Sequence, residues 1–256
     1  MSTRDVPAGV QLYSLREESA RDFAAVLERV AAIGFVGVEF AGFYGVSGAE
    51  VGRLLEANGL EAASAHVGFA ADDDFRAALD EHAAVGCDTV VIPAAPHTGF
   101  ADPDQVRATA DLVNHAASLA RDRGVTLGYH NHYWELTPMP DGRPALLHFF
   151  EHADPDVVAE VDIYWAQVGG ADPAAIVRDL GSRAALLHVK DGPADVPGSS
   201  NVAVGDGAVD TPGVLAAAPS ARWHFVEFDR CDTDMFTAVE RSFGYLVASG
   251  LSRGRE

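Results

Sequence analysis

The chain has 256 residues, 48% apolar and 22% charged, with a formal charge of −20. That length and apolar content suit one large α/β barrel or two small domains, and a surface this acidic repels phosphate backbones and anionic lipid, so nucleic acid and membrane are not expected partners. The two cysteines, Cys87 and Cys231, form neither a CxxC nor a Cys-His cluster, which argues against a disulfide framework or a thiolate zinc site.

In chain order, the opening segment MSTRDVPAGVQLYS lacks the basic-then-apolar run of a signal peptide. No apolar stretch reaches the length of a membrane span, so a cytoplasmic location is the expectation. Short β-rich runs then recur: AGVQLYS, VGVEF, EAASAHV, TVVIP, VTLGYHNH, VVAEVD, ALLHVKD and WHFVEF. Between and after them lie alanine-rich helical patterns over 20–33, 47–57, 75–84, 103–123, 144–153, 173–180, 212–218 and 235–249. Asp102-Pro103, Asp172-Pro173 and Thr211-Pro212 place a cap residue before a first-turn proline, and Gly34, Gly59 and Gly124 stand where helices should end. Eight strands, each followed by a helix, predict a single (β/α)8 TIM barrel spanning 1–256 as one catalytic domain. The rival, an open doubly wound sheet, needs a glycine-rich loop after its first strand, and here that place reads SLREES. The long loop 191–210 is either a lid at the catalytic face or a surface insertion.

In such a barrel chemistry gathers at the C-terminal ends of the strands, and the ionisable residues fall there. They are Tyr13 after strand one, Glu39, His66, His130 and His132 with Glu135 close behind, Glu160 and Asp162, His188 and Lys190, and Glu227 and Asp229. Residues two apart on a strand point the same way, so the last four strands each offer a same-side pair. Singly, each has a plainer reading: Glu39 or His66 as a satisfied hydrogen-bonding partner, Asp162 as a cap on the next loop, Glu160 as barrel filling paired with Lys190. His224 has the opposite phase to Glu227 and should face a helix. His82, His97, His115, His148 and His152 lie in helical or loop segments and read as structural.

Glu135, Asp162, His188 and Glu227 come from consecutive strands and could hold one divalent metal, a hard set suited to manganese first, with magnesium, cobalt or zinc as alternatives. The ion would polarise a carbonyl while a neighbouring carboxylate moves a proton. HxH on a strand also opens the binuclear site of hydrolase barrels, but there it stands on the first strand, which here reads QLYS.

From GVQLYSLRE through GFVGVEFAG, LGYHNHYWEL, EVDIYWA and LLHVKDG to HFVEFD, the chain resembles the sugar phosphate isomerase/epimerase superfamily with the xylose isomerase-like barrel. YHNHxxE, DxYW and HVKD resemble the branch that includes 3-oxo-C-glycoside deglycosidases and inosose dehydratase-like proteins. The resemblance implies Glu135, Asp162, His188 and Glu227 as metal ligands and His130 as acid/base. Trp165 stands where ketose epimerases carry a histidine and Ala194 where they carry an arginine, which points away from plain ketose 3-epimerisation.

The expected function is therefore metal-dependent proton abstraction next to a carbonyl of a sugar, inosose or oxidised glycoside. Isomerisation, epimerisation or β-elimination would follow. His130, Glu135, Glu227 and Lys190 are the expected catalytic groups; Tyr13, Glu39, His66, His132 and Trp165 are expected to bind substrate. A non-catalytic sugar-binding or partner subunit is the other class of reading. Homo- or hetero-oligomeric assembly stays open, with the apolar segment GFYGV as a candidate interface.

Overall fold

The computed structural model describes residues 5–255. Eight parallel strands close into a barrel in sequential order: β1 (Ala8–Gln11), β2 (Gly37–Phe40), β3 (Glu61–His66), β4 (Thr89–Ile92), β5 (Thr126–His130), β6 (Val158–Asp162), β7 (Ala184–Val189) and β8 (Trp223–Val226). Each sits on one of the eight β-rich runs. A parallel strand is covered on both faces, which is why these runs are nearly continuous in apolar residues.

The helices outside are α1 (Arg16–Ser19), α2 (Phe23–Ile33), α3 (Gly48–Asn58), α4 (Asp72–Ala83), α5 (Pro103–Arg121), α6 (Ala145–His152), α7 (Ile163–Val168), α8 (Pro173–Leu180), α9 (Thr211–Ala217) and α10 (Met235–Ala248). Asp102 and Asp172 cap α5 and α8 through their side chains, as the sequence predicts. The cap of α9 is Asp210 rather than Thr211, which is already the first helical residue. The pattern over 20–33 breaks at Ala20–Asp22, so α1 and α2 are separate and Asp22 caps the second.

Strand alternation divides the core. Val10, Val38, Val90, Leu127, Val161, Leu187 and Val226 face the helices. Ala63, Val91, Ala185, Leu186 and Phe225 form a separate apolar plug inside the lower barrel. The plug is wide because Gly9 and Gly37 leave room for it. A Cβ on Gly9 would stand 2.6 Å from the Phe225 ring, and one on Gly37 2.8 Å from Trp223. Above the plug the inward positions are polar. The β2–β3 and β6–β7 registers each shift once, between Val38 and Glu39 and between Ala159 and Glu160, so that Ala63 and Ala185 are the extra residues. Such shifts re-aim side chains, and both occur where a buried glutamate enters the barrel.

GFYGV is not an exposed apolar patch. Phe43 is buried against Phe40 and His82, and Tyr44 packs on Phe23. His224 faces outward as expected, its Nδ1 2.9 Å from Ser252 Oγ.

The loop from 191 to 210 is organised by one buried carboxylate. Asp191 accepts backbone N–H groups of Gly192, Gly205, Gly207 and Val209 at 2.8–3.2 Å. Asp191→Ala strands four backbone donors at once, those of Gly192 and Val209 buried. It is expected to lower stability by about 3 kcal/mol in urea unfolding, on the scale of hydrogen bonds to a charged group. An unchanged midpoint would show that the loop is held elsewhere.

Candidate metal centre

Inward residues of six strands, with the segments just past β7 and β8, meet in two tiers above the plug. In the lower tier, Glu160 Oε2 lies 2.6 Å from His66 Nε2, 3.1 Å from His130 Nδ1 and 3.1 Å from His188 Nε2. Beside it Glu39 accepts Gln11 Nε2 at 2.7 Å and Ser64 Oγ at 2.6 Å, and its Oε1 stands 2.6 Å from His188 Nε2. In the upper tier, His188 Nδ1 is 2.8 Å from Glu227 Oε2. Lys190 Nζ lies 3.0 Å from Asp162 Oδ2, 2.9 Å from Glu227 Oε2 and 2.7 Å from Asp229 Oδ2. Lys190 thus pairs with these three carboxylates, not with Glu160 as the sequence suggests.

One ligand atom from each of His130, Asp162, His188 and Glu227 falls within 4.8 Å of all the others; His66, His130, Glu160 and His188 form a second such group. Three of the four ligands expected from the sequence, Asp162, His188 and Glu227, are therefore brought together, and His130 stands beside them. Glu135 lies elsewhere. It is fully buried, its Oε1 accepting Tyr129 OH at 3.0 Å and its Oε2 the backbone N–H of His132 at 2.9 Å. Tyr129 alternates with His130 on β5, so Glu135 has turned to the opposite side of that strand.

Two observations fit a cation. Asp162 caps α7 with Oδ1, on Trp165 N–H at 2.8 Å, while Oδ2 is sealed from solvent without an aligned donor, the Lys190 ammonium approaching off-axis. His188 meets a carboxylate oxygen at each ring nitrogen, Glu39 Oε1 2.6 Å from Nε2 and Glu227 Oε2 2.8 Å from Nδ1, and against the effect of burial Glu160, Glu227 and Glu39 hold the imidazole well above its usual value. A proton or a metal ion must reconcile the second contact. Four buried carboxyl side chains, Glu39, Glu160, Asp162 and Glu227, share this cluster with one ammonium, that of Lys190, which meets only Asp162 and Glu227 of the four, and an excess of buried negative charge is costly without cations.

Burial acts on every group here, and the neighbours decide its outcome. Burial pushes the Asp162 carboxyl up to about 6 against the pull of Lys190. Glu39 is likewise raised by burial and then by the charge of Glu160. For Glu160 burial is outweighed by His188 and His66, which hold it well below the usual carboxylate range. Burial would lower Lys190, but Asp162, Glu227 and Asp229 hold it well above the ordinary lysine value. Burial, joined by His188, drives His130 well below the usual imidazole value, and burial with Lys190 takes His132 down to about 4. Both are neutral at pH 7. Burial also pushes Glu135 up to about 8, against its hydrogen bonds.

Over this group lies a pocket of about 160 Å³ lined by Tyr13, His66, Pro93, His130, His132, Glu227 and Asp229. Of the expected substrate-binding residues, Tyr13, His66 and His132 are on its wall. Glu39 lies beneath it, and Trp165 is buried behind His132, their ring centres 6.1 Å apart. A wider cleft between the 191–210 loop and the start of α10 shares no lining residue with this pocket. The sequence reading named Asp229 without giving it a role and paired Glu160 with Lys190, whereas Asp229 lines the pocket and Glu160 meets imidazoles; both belong to same-side pairs, which was the available signal.

A family model for xylose isomerase-like TIM barrels matches residues 27–224. The chain belongs to this family. No match was found among curated proteins. Among solved members of similar fold, a sugar phosphate isomerase/epimerase from Parabacteroides distasonis superposes with a TM-score of 0.82 at 25% identity, over 96% of each chain. The probable 3-DHS dehydratase AsbF from Bacillus anthracis gives 0.73 at 12% identity, over 94% of this chain and 98% of that one. A D-allulose 3-epimerase from Methylomonas sp. gives 0.69 at 16% identity, over 94% and 97%. The barrel of this family accounts for the closed sheet, and sugar isomerases and epimerases stand among its structural neighbours. Among the described residues no helix is long and apolar enough to cross a membrane.

Proposed function

We propose that the chain is a divalent-metal-dependent enzyme that removes a proton from the carbon next to a carbonyl of a sugar, inosose or oxidised glycoside, isomerising or epimerising it. The observation that supports this reading is the convergence of His130, Asp162, His188 and Glu227 at the C-terminal mouth of the barrel. These four would hold the ion. Their mixed nitrogen and oxygen set suits manganese first, then cobalt, zinc or magnesium. When bound, the ion supplies Lewis-acid polarisation of the substrate oxygens.

The chain's own residues do the rest. Lys190, kept charged by three carboxylates, is a fixed positive charge beside the oxygen that gains negative charge. His132 is neutral and on the pocket wall, so it can accept a proton; Glu227 and Asp229 offer carboxylates on the same wall. Glu135 we place in a bracing role, fixing the turn that carries His132. A pocket of about 160 Å³ holds one small ring. β-Elimination from a 3-oxo-glycoside or inosose is the second reading. Tyr13 supports it: 43% exposed at the pocket mouth, it offers an aromatic surface on which an aglycone could rest.

The test is wash-in of deuterium from solvent into keto-sugars, inososes and 3-oxo-glycosides, with manganese present or removed by chelation. Exchange is expected with the metal and should fall at least about 100-fold without it, since metal polarisation contributes several kcal/mol. Sugar binding with no exchange would make the chain a binding subunit. Exchange indifferent to chelation would reject the metal reading.

A further inference from the structure

We propose that Glu160 is a positioning residue that sets the tautomer of His130 and, together with Glu39, that of His188, so that both imidazoles present lone pairs to the cation. This rests on the reading above, in which both histidines are ligands.

Glu160 is 1% exposed and projects into the barrel at the β6–β7 register shift. Three imidazole nitrogens, from His66, His130 and His188, surround its single atom Oε2 at 2.6–3.1 Å. That atom occupies the point where the three nitrogens converge, so the lower group is a hydrogen-bonding hub. An ionised carboxylate only accepts, so His130 Nδ1 carries hydrogen toward Glu160, and His188 Nε2 carries hydrogen toward Glu39 Oε1 at 2.6 Å with Glu160 Oε2 a second acceptor at 3.1 Å. A ring that ligates a cation does so through its other nitrogen, which then carries the lone pair. For His130 this is Nε2, 3.9 Å from Asp162 Oδ2; for His188 it is Nδ1, 2.8 Å from Glu227 Oε2. Both lone pairs therefore fall in the upper group. Oε1 of Glu160 is sealed from solvent and takes no hydrogen bond, so all of the carboxylate's hydrogen bonding is to imidazole.

Strand pairing holds the arrangement. His130 lies opposite Glu160, and Asp162 lies opposite His188, in the parallel registers of β5–β6 and β6–β7. One strand thus supplies a ligand, Asp162, and two residues earlier an acceptor that orients His130 and shares His188 with Glu39. A carboxylate behind a ligating histidine fixes its tautomer and raises its basicity. The alternative is that Glu160 merely satisfies buried donors. A glutamine carbonyl could do that nearly as well without affecting the cation.

Cobalt(II) serves as the probe, added to the metal-free full chain. Glu160→Gln is expected to raise its dissociation constant about 10- to 100-fold by calorimetry, the usual effect of losing such a carboxylate. In proton NMR the wild-type cobalt form should show two hyperfine-shifted imidazole N–H signals, slow to exchange because Glu160 is buried. Glu160→Gln should shift them or speed their exchange, and Glu160→Asp should fall between. A folded Glu160→Gln protein with wild-type affinity and unchanged signals overturns the proposal. If that variant does not fold, the wild-type spectrum decides: two protected N–H signals support the hub, and their absence overturns it. A wild-type chain that binds no cobalt or manganese removes the metal reading itself, a different failure from intact binding in Glu160→Gln.

Discussion

Replacing His130 with alanine should weaken manganese or cobalt binding by at least about 100-fold, beyond the effect of losing an outer carboxylate, whereas Glu135→Gln should keep stoichiometric binding. The two residues compete for one place in the donor set, and geometry separates them. His130 is on the inner face of β5 with Nε2 toward Asp162. Both oxygens of Glu135 are engaged on the other side of that strand, by Tyr129 and His132. Deleting the imidazole removes a donor from the group. Amidating Glu135 disturbs only the brace behind it, and its effect should appear as a modest change in KM through His132. Metal content after dialysis, followed by calorimetric titration, reads both. The reverse pattern, with metal lost in Glu135→Gln and kept in His130→Ala, would return the fourth ligand to the glutamate of the HNHxxE motif.

That competition shows where the sequence stops being legible. Inside a strand, side-chain direction follows from counting by two, so Asp162, His188 and Glu227 could be placed on one inward face from their spacing alone. The eight β-rich runs and the proline-opened helices were legible for the same reason, because strand and helix periods are local properties. Glu135 lies past the end of β5, in a 3-10 turn over Trp134–Leu136, and counting gives no direction there. Only packing shows that the turn folds back onto Tyr129. Glu160 illustrates a second limit. Its inward direction was readable, but its partners depend on height in the barrel. The register shift between Ala159 and Glu160 sets it level with the imidazoles, while Lys190, one residue beyond β7, reaches the carboxylates above. Asp162 illustrates a third. Capping and metal binding read as alternatives in the sequence, yet its two oxygens separate the tasks, Oδ1 capping α7 while Oδ2 faces the cluster.

The second large effect is expected at Lys190. Lys190→Met removes the one ammonium among Asp162, Glu227 and Asp229, leaving buried carboxylates without their partner. The metal-free variant should lose about 3–5 kcal/mol of stability, the usual result of deleting one side of a buried ion pair. Turnover should fall about 10²- to 10³-fold, as when a preorganised charge beside a developing oxyanion is lost. The metal response separates the two losses. In the variant, Asp162 and Glu227 lose the ammonium that pairs with both, so manganese should raise its melting temperature by more than it raises that of the wild type. An ion that binds only the folded state stabilises in proportion to its affinity, and that affinity should rise when a neighbouring positive charge is removed. Activity should not return with stability, because the ion does not replace an ammonium aimed at the substrate. Wild-type stability in the metal-free variant would mean that the ammonium does not balance these carboxylates. Wild-type turnover would mean that it stands away from the reacting oxygen.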